Sequence, residues 1–507
     1  MLDWHPAACV ARSLAALACF LLAPGILAAQ TPQPEALRVT VGLDDGSEGT
    51  LRWAIERNNA APGRYRIEIG TVAGGVLTIR PTSLLPAIRG PVHIEGVAWR
   101  RTGEFAILDG RGVTPDAAGP GCPGETAGQS GPNVRTLSIP GLALVETQGV
   151  EISGLDIRNF CIGVLIHRAS GNVVRDSRIV ANHGGAGIML TGDDGQGRST
   201  LTSTLHNKVL RNEFVDNGDG LELTRGASFN LIADNIFRST AANPEPSQGI
   251  EVLLGHDNVI ARNVFTGYSD GVQINSGNRN DLTGNIFEDN TFGISLTGID
   301  NVIAGNVFRG NAVAIAVRPT ASGTKSRISR NVMSGNGAAV ERCWVGGSCD
   351  PALRRGAIVF GLPSGEHAAY VGRRSTGVPV DPARLARICP DAQPNCQPQP
   401  NGGIAPPVIE RAIRMVNGDL RVEGRIAAAP ATRHTLELFG NADLATAEAE
   451  TFLTSTSIVS AADGTARFIF NLNAAEVGAA RALTVTLTSS EGASSELSVP
   501  TQIAATP

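Results

Sequence analysis

The chain has 507 residues, with 42 lysines and arginines against 47 aspartates and glutamates for a formal charge of −5, 60 glycines, and aromatic residues at only 4%. A mildly acidic chain without a basic run excludes a nucleic-acid binder working by phosphate neutralisation. The glycine content suits a coil-rich β architecture, and the length allows two or three domains.

Residues 1–29 read as a secretory signal peptide. Arg12 sits in a short n-region, the apolar run "SLAALACFLLAPGILAA" follows, and small residues then give way to polar "QTPQPE", with cleavage expected after Ala29. The residues around Cys19 do not fit a lipoprotein signal, since Ala16 stands where a larger aliphatic is usual. No later stretch is long and apolar enough to span a bilayer as a helix. The expectation is a secreted monomer, periplasmic or extracellular, without membrane insertion. Six cysteines then remain, and their separations make Cys343 with Cys349 and Cys389 with Cys396 the natural local disulfides, leaving Cys122 with Cys161. No histidine or cysteine pair lies at structural-zinc spacing.

From residue 36 to 389 the sequence predicts a right-handed parallel β-helix with an N-terminal cap. In "LRVTVGLDDGSEGTLRWAIERNNAAPG", Leu51, Ala54 and Ile55 share one face of a short helix entered through Gly, Ser and Asp. A solenoid needs its open end covered against edge pairing, and this helix is placed to do so. The segment resembles the opening of secreted bacterial β-helix proteins that carry a CSLREA-type start, in which a strand and "GSLRxAI…AN" precede the coils. "LLPAIRGPVHIEGV" and "AILDGRG" are similar to that group's first coils, although the cysteine that names the motif is absent.

Regular coils begin near Ser138 and repeat most clearly from Gly187 to Gly337. Equivalent positions Gly220, Gly249, Gly271, Gly293 and Ala314 are separated by steps of 29, 22, 22 and 21 residues. A step of this size marks a solenoid. Apolar residues alternate with period two, as in Leu221/Leu223, Ile250/Val252, Val272/Ile274 and Ile294/Leu296, which reads as short strands. Leucine-rich repeats would need a denser leucine consensus; here the large residues are Ile, Val and Phe. Stacked coils put equivalent residues about 4.8 Å apart. Recurring asparagines then form ladders, one through Asn230, Asn258, Asn280 and Asn301, another through Asn212, Asn235, Asn263, Asn285, Asn306 and Asn331. These are scaffold.

Chemistry is sought on the outward side. If the two apolar residues of each "G-Φ-x-Φ" strand face the core, the residue between them faces out. Up successive coils that position holds Leu165, Met189, Glu222, Glu251, Gln273, Ser295 and Ala316. Glu222 and Glu251 therefore stack, and like charges at one rung repel unless a proton or cation intervenes. Two insertions, "DDGQGRSTLTSTL" and "TAANPEPSQ", leave after and arrive before this row, and so should rise on opposite sides of it as the walls of a groove.

Glu222 and Glu251 are the catalytic candidates, as acid and base or nucleophile. A lyase or epimerase would add His183 or Tyr268 as base, and Arg225, or calcium held by Asp193 and Asp194, to neutralise a uronate. Gln273, Arg225, Asp219 and Asp270 are the substrate-binding candidates. Against this stands a plain solvated face, with Asp219-Gly220 and Asp270-Gly271 as ordinary corners; His167, His206 and His256 read as surface or corner residues.

After Gly337 the repeat decays, and a Pro- and Gln-rich linker spans 390–407. Residues 408–503, with "LRVEGRI", "HTLELFG", "ARFIFNL" and "ALTVTLTSS", predict a small β-sandwich, and resemble the C-terminal module found behind such β-helices. Function is expected to be binding, with cleavage or modification, of a polysaccharide along the outward row. The scarcity of aromatics keeps a non-catalytic surface or matrix protein as the alternative.

Overall fold

A computed structural model of the chain describes residues 34–73, 75–114, 122, 139–193, 203–244, 247–318, 324–337, 356–360 and 400–505. The expected leader, Cys343, Cys349, Cys389, Cys396, Asp194, most of the first insertion and most of the linker lie outside them. No helix among the described residues is long and apolar enough to cross a membrane.

Three parallel sheets of eleven, ten and nine strands form the faces of a β-helix. The helix Leu51–Ala60 buries Leu51, Ala54 and Ile55, and Thr50 caps it by accepting the amide of Trp53 at 3.3 Å. Cys122 and Cys161 are joined in a disulfide, as expected.

The interior is a set of stacked columns. Phe214, Phe237, Phe265, Phe287 and Phe308 stack with ring centroids 4.3, 4.8, 4.9 and 4.8 Å apart, one rung each. Against them runs a glycine column: a Cβ on Gly249 or Gly271 would lie 2.6 Å from the ring of Phe265 or Phe287. The column changes to Ala314 where the next ring is replaced by Met333, paired in register with Phe308. A flexible thioether gives way where a ring cannot.

Both expected asparagine ladders are present. In each, the Oδ1 of one asparagine accepts the backbone and side-chain N–H groups of the previous coil, as from Asn235 to Asn263 at 3.0 Å each. The first ladder also extends back through Asn207 and Asn172. A third, unforeseen, runs through Asn182 and Asn217 and resumes through Asn290, Asn311 and Asn336.

Two four-stranded sheets make the C-terminal sandwich, packed round Val422, Leu438, Phe470 and Leu487. It closes the far end of the solenoid with polar side chains placed on the ladders. Asn401 accepts the Ser326 amide at 2.5 Å, Glu437 the Arg330 amide at 2.8 Å, and Glu448 the backbone and side-chain N–H of Asn336 at 2.7 and 3.2 Å.

Candidate active site

The nine-stranded sheet carries the expected outward row in unbroken register, from Leu165 through Met189, Glu222, Glu251, Gln273 and Ser295 to Ala316. A second outward row accompanies it. Gly220, Gly249, Gly271 and Gly293 face the phenylalanine column, so the residue before each glycine also points out. This row runs Ile162, Ala186, Asp219, Gln248, Asp270, Phe292 and Val313. Strict alternation had not placed Asp219 and Asp270 beside the glutamates. The repeat itself carried the signal: one polar residue before the glycine in three successive coils.

Together the rows divide the face. At one end Ile162, Leu165, Ala186 and Met189 cluster; at the other, Phe292, Val313, Ala316 and Val359. Between them lie Asp219, Glu222, Gln248, Glu251, Asp270 and Gln273. Most of the face is buried. Met189 is 1% and Gln273 2% exposed, and only the two glutamates of the central set are half-buried. A plain solvated face does not account for the buried Asp219, Gln248, Asp270 and Gln273.

Carboxylate oxygens of Asp219, Glu222 and Glu251 lie within 4.8 Å of one another, the one such convergence of three metal-type ligands among the described residues. The surrounding groups orient them. Ser247, arriving from the second insertion, donates to Asp219, which also accepts the Gln248 amide at 3.2 Å. Asp270 accepts Ser269 at 2.7 Å and Ser295 at 2.5 Å. Asn275 donates to Glu251 at 3.1 Å and to Oε1 of Gln273 at 2.7 Å. Arg318, from two coils further on, donates through Nη2 to Oδ1 of Asn275 at 2.6 Å and to the Ile274 carbonyl at 3.0 Å. Burial lowers the Arg318 guanidinium to about 10, against the pull of Asp270 and Glu251. Ser247, Gln248, Asn275 and Arg318 were all missed in the sequence: Ser247 and Asn275 stand at strand ends, Arg318 reaches in from a distant coil, and Gln248 lies on the second outward row, which strict alternation does not foresee.

The other candidates are placed differently. Arg225 follows the strand Asp219–Thr224, at the same strand end as Asn275, with Nε 3.5 Å from the buried carboxylate of Asp193. His167 donates to the Asp193 carbonyl at 2.9 Å. Asp193 thus stands with a cation, apart from the acidic trio. His183 donates through Nε2 to the Asp216 carbonyl at 2.7 Å, which fixes its ring at a corner. Tyr268, expected as a base, is in the solenoid core at 1% exposure, and its hydroxyl has no hydrogen-bond partner among the described residues. Burial, then the charges of Asp216 and Asp219, push that phenol strongly up, so it keeps its proton and is no base. It occupies the break in the third asparagine ladder, where its amide bonds Asn290 Oδ1 at 3.0 Å.

Residues 126–337 match the family described as periplasmic copper-binding protein (NosD). Over 488 residues the chain is 43% identical to the 3-dehydroshikimate dehydratase of Acinetobacter baylyi, an alignment covering 96% of this chain and 98% of that one. Among solved structures, DFA-IIIase from Arthrobacter chlorophenolicus aligns over 58% of this chain and 82% of its own, at 14% identity and a TM-score of 0.37. An alginate lyase from Paenibacillus aligns over 55% and 96%, at 16% identity and a TM-score of 0.32. At these scores neither structural likeness bears on the site.

Proposed function

The chain belongs to the family of the Acinetobacter baylyi 3-dehydroshikimate dehydratase, and from that premise we propose that it removes water from 3-dehydroshikimate, or a close ring analogue, between the two outward rows. The observation that carries this reading is the half-buried pair Glu222 and Glu251, one rung apart and joined by Asp219. Two carboxylates at that spacing repel by on the order of 3 kcal/mol at an effective dielectric near 20. A shared proton relieves this, and it leaves one member a base and the other an acid.

Dehydration of a β-hydroxy ketone asks for that division of labour. The C–H bond next to the ketone and the C–O bond beyond it break, a C=C bond forms, and water leaves; a tautomeric shift then makes the ring aromatic. Glu251 takes the proton and Glu222 gives one to the departing hydroxyl. Charge gathers on the ketone oxygen as the proton leaves, and the Gln273 amide is turned to meet it, because Asn275 holds its Oε1 and leaves Nε2 for a ligand.

The covered face supports a small polyhydroxylated ring acid over an extended polysaccharide, which would need an open row. The Cys122 and Cys161 disulfide, together with the leader expected over residues 1–29, supports action in an oxidising compartment outside the cytoplasm.

A second reading of the same trio is favoured by its donor set. Three carboxylates suit a hard cation such as calcium, which would neutralise the cluster in place of the proton. One experiment addresses both. Purified protein is mixed with 3-dehydroshikimate, and the aromatic diol acid is followed by ultraviolet absorbance and NMR, with chelator and with added calcium. Product formed in chelator supports the shared proton. Product lost in chelator and restored by calcium supports the cation. Substrate untouched in every arm overturns the function.

A further inference from the structure

Exposed arginines along the solenoid are paired with acids of the neighbouring coil: Arg211 with Asp176, Arg262 with Asp234 and Arg279 with Asp257, each at 2.7 Å. Arg327 breaks that habit. It stands on the last strand of the eleven-stranded sheet, Lys325–Ser329, where the outward side of the solenoid meets the outer side of a sandwich sheet. On the sandwich side Arg433, Thr435 and Glu437 alternate along the strand Arg433–Asn441, and so share the face opposite the core residues Leu436 and Leu438. Between the two surfaces lies a cleft of about 290 Å³, lined by Arg327, Arg330, Arg433 and Glu437 together with hydroxyls such as Thr435 and Ser455.

Its charges do not balance. Arg330 has its Nε 3.9 Å from Glu437 and its guanidinium 4.8 Å from the centre of the Phe452 ring. One acid thus answers one of three guanidiniums. Arg327 and Arg433 make no ion pair or side-chain hydrogen bond among the described residues. Glu437 accepts the Arg330 amide through Oε2 at 2.8 Å, and its Oε1 makes no hydrogen bond among the described residues. Burial pushes the Glu437 carboxyl up, while the Arg330 amide and the charges of Arg330 and Arg327 pull against it. Arg327 therefore acts on the same cleft as Arg330.

Two unanswered cations beside an unused carboxylate oxygen specify a ligand. A carboxylate brings one charge, and sulfate brings two but no donor. Hydrogen phosphate brings two charges and one O–H. An ionised carboxylate only accepts, so within a cationic cleft it favours the anion that carries a proton, while guanidiniums and hydroxyls serve the remaining oxygens. We propose that this cleft binds inorganic phosphate as its hydrogen phosphate dianion, with Arg327 and Arg433 answering its charge and Glu437 accepting its O–H. The bound ion ties the last coil to the sandwich. It lies on the eleven-stranded sheet and the acid row on the nine-stranded one, so the proposal stands apart from the reaction at Glu222 and Glu251.

The whole protein is tested in buffer alkaline enough to hold phosphate as the dianion, at constant ionic strength because exposed charges are screened. Titration calorimetry compares phosphate, sulfate and methyl phosphate, a dianion without the O–H, in wild type, Arg327→Gln, Arg433→Gln and Glu437→Gln. Wild type should saturate with phosphate below roughly 10 mM and bind the other two anions roughly 10-fold more weakly. Either arginine change should lower phosphate affinity by about 10-fold. Glu437→Gln, which can donate as well as accept, should bring sulfate level with phosphate. Phosphate should also raise the melting temperature of wild type and leave that of the double Arg327→Gln, Arg433→Gln variant unmoved. Both arginines are exposed, so these variants keep the fold. Failure of wild type to saturate overturns the proposal whatever the variants do. So does sulfate or methyl phosphate that binds wild type as tightly as phosphate, or a phosphate affinity unchanged in both arginine variants.

Discussion

Two kinds of row run along this solenoid under the same stacking rule, one of asparagines and one of acids, and they behave oppositely. An amide carries both donor and acceptor, so a column of them satisfies itself: Asn263 accepts from Asn235 and donates to Asn285 and to the Ile232 carbonyl. A carboxylate carries only acceptors. Glu222 over Glu251 must therefore draw its partners from other groups, as Glu251 does from Asn275. Self-complementary columns hold coils together; a carboxylate column depends on what surrounds it.

The sharpest way to break this contrast is to neutralise each row in turn. Glu222→Gln or Glu251→Gln should lower kcat by roughly 10²- to 10⁴-fold, and the double variant should cost little more than one, since the two act as a unit. Either change should leave the melting temperature unchanged or higher, because a repulsion has been removed. Aromatic product formation and thermal melts decide it: a Glu222→Gln variant that stays active but melts early would make the acid row structural.

In the opposite row, Asn263→Ala should leave no catalytic signature beyond lost fold. It deletes the partners of buried groups on Asn235 and Asn285 and strands the Ile232 carbonyl, a destabilisation of about 4 kcal/mol. Urea unfolding measures it. A step smaller, Gly271→Ala should cost about 3 kcal/mol, since the new methyl meets the Phe287 ring at 2.6 Å and the Gly293 carbonyl at 2.7 Å. Pairing it with Phe287→Met, the combination found at Ala314 and Met333, should recover part of the loss.

The scaffold was legible in the sequence because its rules are local and repeated. The 22-residue step, the Ile and Val alternation and two asparagine ladders could be counted directly, and the register of Glu222 on Glu251 followed from them. The third ladder was hidden because Tyr268 interrupts it. The site was half legible. Gln273, Asp219 and Asp270 were named as candidates, but their joining in one covered patch depends on a glycine and the residue after it both facing inward, which period-two counting does not foresee. Arg318 was invisible, because its reach across two coils is a matter of side-chain length and burial. The burial of Met189 and Gln273 was not legible either, because an outward residue need not be an exposed one.

The ends of the ladders give the last test, because there an amide column meets a carboxylate. Glu448 accepts both N–H groups of Asn336, and burial pushes its carboxyl up to about 7 despite those two donors. In the unfolded chain a glutamate titrates near 4.3. Between these values the folded chain holds a proton that the unfolded chain has already released. Stability therefore falls as pH rises through that window and levels off above it. The expected loss is roughly 4 kcal/mol, at about 1.4 kcal/mol for each pH unit of that window. Glu448→Gln keeps an acceptor for the Asn336 amide and removes the titration, so its melting temperature should lack this slope. At about pH 5 the variant should match wild type, and at about pH 8 it should be the more stable of the two. Parallel melting curves across that range would mean that the charge at the end of the ladder is answered by another group, and that the amide column tolerates a carboxylate better than the acid row does.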